Sequence, residues 1–139
     1  MRFIDSSVFV YAYLRPMKKI PPAVMTMKGN ARKIIARISN GEPAATSLIH
    51  MSEIANILES RMPLVESLEL LSGLFDMPSL LILDSNKELY ETAIEESRSS
   101  NIGVNDALAN LLMRDSNINQ VYSFDKDFDR IEGVTRITE

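Results

Sequence analysis

Gln120-Val121-Tyr122-Ser123-Phe124-Asp125 is an apolar run of strand length with an acid directly after it. Arg2-Phe3-Ile4-Asp5, at the other end of the 139-residue chain, repeats the arrangement. An acid that follows a strand lies at that strand's carboxyl end, and two such acids on parallel strands project from the same edge of one sheet. Working outward from these two, Ala44-Ala45-Thr46 reads as a very short strand. Leu80-Leu81-Ile82-Leu83 is a continuous apolar run of strand length, and a last strand falls near Thr135 to Ile137.

The segments between them read mostly as helices. Ala31 to Ser39 places Ile34, Ile35 and Ile38 on one face and Arg32, Lys33 and Arg37 elsewhere, and Gly41 stops it. Ser47 can cap a helix to about Arg61 whose Ile54, Ile57 and Leu58 face the core, and Pro63 suits the first turn of another, to about Phe75. Ser85-Asn86-Lys87-Glu88 fits a capping box opening a helix to about Ser100. A helix from Asn105 to about Arg114 and a helical turn around Asp127 to Ile131 complete the series. Arg15 to Gly29, with Pro16, Pro21 and Pro22, reads as a mobile loop. Strands alternating with helices predict an α/β sandwich with a largely parallel sheet and ligands beyond the strands' carboxyl ends. With no repeat or linker, residues 1–139 are expected to form one domain.

Composition narrows the chemistry. The chain has 45% hydrophobic and 24% charged residues, near the average for globular proteins. The absence of cysteine excludes disulfides, thiolate zinc sites and cysteine nucleophiles, so a metal must sit on oxygen or on the one histidine, His50. The apolar run Val8 to Leu14 is too short for a membrane span and ill-suited to a signal peptide, which points to a cytoplasmic protein without membrane association. The net charge of −4 conceals a segregation: Ser6 to Gly41 carries seven bases and no acid, while Glu42 to Glu139 carries eighteen acids and seven bases. A basic segment of this kind can steer a polyanion, although a solvated helix face is the plainer reading.

Four acids stand next to apolar sequence. Asp5 and Asp125 follow strands; Glu53 borders the buried stripe of its helix; Asp106 lies in the first turn of a helix almost free of charge. Each alone is explained by capping, helix-dipole complementarity or ordinary surface. Gathered together they repel, and a hard divalent cation resolves the conflict. Oxygen ligands without cysteine suit Mg2+ or Mn2+ rather than zinc, and such ions support phosphate chemistry.

The order Phe3-Ile4-Asp5-Ser6-Ser7-Val8, Ser52-Glu53-Ile54-Ala55, Asn105-Asp106-Ala107-Leu108-Ala109 and Val121-Tyr122-Ser123-Phe124-Asp125-Lys126-Asp127-Phe128 resembles PIN domains, especially VapC-like toxins of VapBC toxin–antitoxin pairs. The resemblance implies a three-layer α/β/α sandwich. It implies a metal-dependent endoribonuclease acting on RNA, with Asp5, Glu53, Asp106 and Asp125 as the catalytic and metal-holding acids. Ser6, Ser7 and Ser123 take the places of the small hydroxyl residues that help hold the first acid and metal waters. It also implies a homodimer silenced by a cognate antitoxin. Asp127 could share the fourth position, but its place in a helical turn points to solvent exposure, so Asp125 ranks first. Arg15, Lys28, Arg32 and Lys33 are candidates for contacts to single-stranded RNA.

Other residues have plainer readings. His50 is expected to be packed or partly exposed rather than to join the site, and Tyr11 and Tyr13 to pack rather than to stack on bases. Asn56 and Asn110 could hold water near the site, the less favoured reading of the two. Two other functions compete: a non-catalytic RNA-binding or assembly module of the same fold, and a receiver-type signalling domain. The latter expects an acidic pair after its first strand, where this chain has Asp5 followed by two serines.

Overall fold

The computed structural model describes residues 1–16 and 18–139. Among them are five strands, β1 (Arg2–Ile4), β2 (Ala44–Ser47), β3 (Leu80–Leu83), β4 (Gln120–Tyr122) and β5 (Thr135–Ile137), each where the sequence places one. They form one sheet in the order β3-β2-β1-β4-β5, and every neighbouring pair is parallel. β1 is central: Phe3 registers with Ala45 on one side and Val121 on the other. Parallel neighbours require crossovers, supplied by α1 (Ser6–Tyr13), α2 (Pro22–Ser39), α3 (Leu48–Arg61), α4 (Leu64–Phe75), α5 (Lys87–Ser100) and α6 (Val104–Asp115), with a 3-10 turn at Lys126–Arg130.

Alternation along the strands divides the core in two. Ile4, Ala44, Leu80 and Tyr122 face one side, against Val8, Phe9, Ile34, Ile54, Leu58 and Leu74 of α1 to α4. Phe3, Ala45 and Val121 face the other, against Ala93 of α5, Leu108 and Met113 of α6, and Phe128. Both faces of the sheet are thus covered, as parallel sheets require, and the three-layer α/β/α arrangement is present. Each large side chain buried in this way contributes about 1.5–3 kcal/mol.

Three local readings change. The segment after Asp5, read only as an apolar run, is the helix α1: Asp5 caps it by accepting from Ser7 N–H, and Val8, Phe9 and Ala12 are buried. The expected Arg15 to Gly29 loop is much shorter, because α2 begins at Pro22 and carries Gly29 inside it. Pro22 opens the helix because its fixed φ and missing N–H cost nothing at a first turn. Met17, within that expected loop, lies outside the described residues. At α5 the cap is Asn86 rather than Ser85, with Asn86 Oδ1 accepting from Leu89 N–H at 2.8 Å.

The structure also removes Lys28 from the expected RNA-facing set. Lys28 is buried, and its Nζ donates to the carbonyls of Tyr11, at 2.8 Å, and Leu14. It satisfies carbonyls that the end of α1 leaves without helical partners. Burial lowers its pKa first, and Arg32 and Arg61 nearby lower it further. Arg15, Arg32 and Lys33 remain exposed.

Candidate functional site

Asp5 stands where β1 ends and α1 begins, and the residue is 5% exposed. Oδ2 accepts from Ser7 N–H at 3.3 Å, Ser7 Oγ at 2.6 Å and Ser123 Oγ at 2.8 Å. The two hydroxyls are fixed in turn, since Ser7 Oγ accepts from Phe124 N–H at 3.1 Å and Ser123 Oγ from Asp125 N–H at 3.0 Å. Serines from the ends of β1 and β4 therefore lock the acid of one strand to the turn that follows the other. Oδ1 is less occupied: Ser6 Oγ lies 3.4 Å away.

Glu53, half-buried on α3, reaches the same place. Its Oε2 lies 3.1 Å from Ser6 Oγ and accepts from Asn105 Nδ2 at 3.2 Å. Asp106, in the first turn of α6, is set beside Gly103, where a Cβ would come within 3.2 Å of Asp106 Oδ2. A side chain at 103 would press on that carboxylate, so glycine leaves it room.

Asp106, Asp125 and Asp127 each offer an oxygen within 4.8 Å of the others. Here the structure revises one expectation: Asp127 is half-buried and Asp125 is the exposed one, because the 3-10 turn folds Asp127 back beside Asp106. Asp125 Oδ1 accepts from Asp127 N–H at 2.9 Å, and Asp127 pairs with Arg130 at 3.2 Å. Asp5, Ser6, Ser7, Tyr11, Glu53, Asn105, Asp106 and Asp125 line one cleft of about 480 Å3. A larger cleft of about 610 Å3, between the end of α1 and α4, holds no comparable set of converging acids.

The electrostatic consequence falls on Asp106. Burial first, then the charges of Asp5, Asp125, Asp127 and Glu53, push its pKa from 3.8 to about 7. Among the described residues, no Lys or Arg makes an ion pair with Asp5, Glu53, Asp106 or Asp125. Asn105 Oδ1 is buried without a hydrogen-bond partner. An all-oxygen donor set, uncompensated charge and an orphaned acceptor together fit a hard divalent cation.

The other side chains singled out in the sequence also find their places. Asn110 is tied to Glu96 at 2.7 Å in the contact between α5 and α6, away from the cleft, and Asn56 is exposed. Tyr11 packs edge-on against Phe124, with centroids 5.2 Å apart, while lining the cleft. His50 is fully buried, the packed one of the two states expected for it, yet its Nε2 stands 3.8 Å from Asp5 Oδ1. Burial lowers its pKa against the opposing pull of Asp5 and Glu53. Asn105 was missed; its place beside Asp106, at the mouth of a helix three residues after the break at Asn101-Ile102, was the available signal.

The family model for the PIN domain matches residues 2–134. The chain belongs to the PIN domain family. Solved structures similar to this PIN domain include VapC20 of Mycobacterium tuberculosis, described as a sarcin–ricin loop cleaving toxin, with 20% identity, a TM-score of 0.72 and 93% of each chain covered. A toxin–antitoxin complex from Klebsiella pneumoniae matches with 14% identity and a TM-score of 0.62, over 97% of this chain and 96% of that one. VapBC2 of Rickettsia felis, bound to a DNA fragment from its promoter, matches with 16% identity and a TM-score of 0.63, over 98% of this chain and 96% of that one. At these identities the likeness is one of fold. Among curated protein sequences, none matches this PIN domain.

Proposed function

We propose that this PIN domain is a Mg2+- or Mn2+-dependent endoribonuclease and the toxin member of a toxin–antitoxin pair. The observation that carries the reading is the convergence of Asp5, Glu53, Asp106 and Asp125 on one cleft, with the Asp106 pKa raised to about 7. Asp5, Asp106, Asp125 and Glu53 are the metal-holding and catalytic acids in this reading, with Asp127 beside Asp106 as a further oxygen. A divalent ion supplies neutralisation of phosphate charge and makes water a better nucleophile near neutral pH.

The chain's own groups do the rest. Ser7 and Ser123 hold the Asp5 carboxylate, and Ser6 and Asn105 hold Glu53. The serines' protons are committed to carboxylates, so they serve as holders and not as nucleophiles. The reaction is hydrolysis: the oxygen of water bonds to phosphorus, the bond from phosphorus to the leaving ribose oxygen breaks, and that oxygen gains a proton.

Exposed Arg15 and Arg32 lie by the far end of α1, where Arg32 Nε donates to Ala12 O at 3.4 Å. The eight residues of α1 put that end about 12 Å from the Asp5 end, close enough to hold phosphates flanking the cut. Changing Arg32 and Lys33 together to Ala is expected to weaken RNA binding and flatten its dependence on salt. An unchanged salt slope would remove both residues from the interface.

The toxin–antitoxin complexes among the similar structures bring the antitoxin into the reading, and the homodimer comes from the resemblance of the sequence alone. Exposed Leu64, Val65, Leu68 and Phe75 on α4 give a protein partner an apolar surface. Among the described residues no helix is long and apolar enough to cross a membrane.

The deciding experiment is cleavage of a mixed pool of single-stranded RNA by the wild-type protein in Mn2+ and in EDTA, with single-stranded DNA alongside. Cutting of RNA in Mn2+ alone is the expected result. No cutting, although Mn2+ raises the melting temperature and RNA binds, would favour the non-catalytic RNA-binding module instead.

A further inference from the structure

We propose that His50 is a positioning residue for the site: its Nε2–H is the donor that fixes Oδ1 of Asp5, and Ser47 holds the ring in the tautomer able to donate. The inference rests on the reading of Asp5 as a metal-holding acid.

Three features of the ring's surroundings carry it. Ser47 Oγ lies 2.7 Å from His50 Nδ1 and also accepts the His50 backbone N–H at 3.2 Å, as the cap of α3. With an oxygen lone pair already taken by the backbone, the hydroxyl proton is free to be donated to Nδ1, and the proton of a neutral ring then sits on Nε2. Phe3, edge-on with centroids 5.2 Å apart and rings at 76°, fixes the plane of the imidazole.

Nε2 is buried without a hydrogen-bond partner, and the nearest carboxylate oxygen recorded for it is Asp5 Oδ1 at 3.8 Å. The opposite tautomer would set a bare nitrogen lone pair against a buried carboxylate, leaving both unsatisfied. The gap exceeds a hydrogen bond, and a shift of under about 1 Å closes it.

The need for such a donor follows from the asymmetry of Asp5. Oδ2 has three donors, whereas Oδ1 has the long contact from Ser6. Oδ1 is the oxygen left with acceptor capacity, and His50 is placed to set how it is presented. Hydrogen bonds of this kind to ligating groups are worth about 10–100-fold in metal affinity.

The test has two arms. In the wild-type protein without metal, long-range proton–nitrogen NMR of His50 at neutral pH should find Nε2 protonated and Nδ1 bare; the reverse tautomer overturns the proposal. In calorimetric titration with Mn2+, His50→Leu should bind about 10-fold or more weakly. His50→Gln, which returns an amide N–H near the Nε2 position, should recover most of the affinity. Melting temperatures without metal accompany each titration, because a merely structural histidine would move those and leave affinity alone. Unchanged affinity in His50→Leu overturns the proposal. If His50→Leu does not fold, Mg2+ titrated into the wild type decides: a shift of the Nε2 resonance supports the role and its absence overturns it. A wild type that binds no Mn2+ overturns the metal-nuclease reading itself, while the metal-free tautomer still reports on His50 alone.

Discussion

Asp106→Asn is expected to lower Mn2+-dependent RNA cleavage by more than about 100-fold, because loss of outer hydrogen bonds alone costs 10–100-fold at metal sites and a ligand costs more. The same change should leave the metal-free protein as stable as the wild type or more so, and the pH dependence makes this a sharp test. In the unfolded chain Asp106 ionises near 3.8; in the folded protein it does so near 7, through burial and the neighbouring acids. Between those values the folded state holds a proton that the unfolded state has released. Stability therefore falls as pH rises through the window, and above pH 7 the ionised side chain is a full burden on the fold. Asn carries no charge, so the mutant's advantage in EDTA should be absent near pH 4 and largest near pH 8. Below about pH 7 a cation must also displace the Asp106 proton, so wild-type cleavage at limiting Mn2+ should fade as pH drops below 7. Melting curves at pH 5 and 8 check the first part and a pH–rate profile the second. A mutant that melts below the wild type at pH 8 would make Asp106 a helix-capping residue of α6, held there by the dipole.

The largest loss of stability is expected from Phe128→Ala, at about 3–5 kcal/mol in urea unfolding. Phe128 is wholly buried between Asp127 and Asp129, in the core layer that includes Val121 and Leu108. The 3-10 turn around it has five residues, too few to hold its own shape. The aromatic ring is thus what anchors the segment on which Asp125 and Asp127 stand. Mn2+ affinity should fall along with stability, which distinguishes this residue from a core position remote from the site. A loss below about 1 kcal/mol would mean that the turn is held by Arg130 and its carbonyl partners on Ser100 and Asn101.

The strands were legible because each is a short apolar run bounded by polar residues, and the acids after β1 and β4 were legible from their position alone. α1 was not. Ser6-Ser7-Val8-Phe9-Val10-Tyr11 is rich in β-branched and aromatic residues, and a helix packed against both α2 and α3 shows little periodicity. The start of α2 was hidden by Pro21-Pro22 and Gly29, which mark loops more often than helices. Lys28 could have been placed: it falls in line with Ala31, Ile34 and Ile38, the buried stripe of that helix. Asp127 was misjudged because a turn's inward and outward sides cannot be told apart without Phe128 as the reference. His50 shows the limit of reading along the chain, since packing and reaching the site were treated as alternatives, and the structure buries it within 3.8 Å of Asp5.

Phe3 lies against Val121 across 118 positions of chain, and that pairing joins Asp5 to the turn carrying Asp125. During synthesis from the amino end, Asp5 and Glu53 are made early, but their partners wait for nearly everything else. A chain stopped before β4 has the middle strand of its sheet open along one edge and lacks Asp125 and Asp127. Contacts so distant in sequence form late and slowly. A shortened chain therefore cannot complete the acidic cleft, which closes only when β4 and the turn after it have folded back onto the first strand.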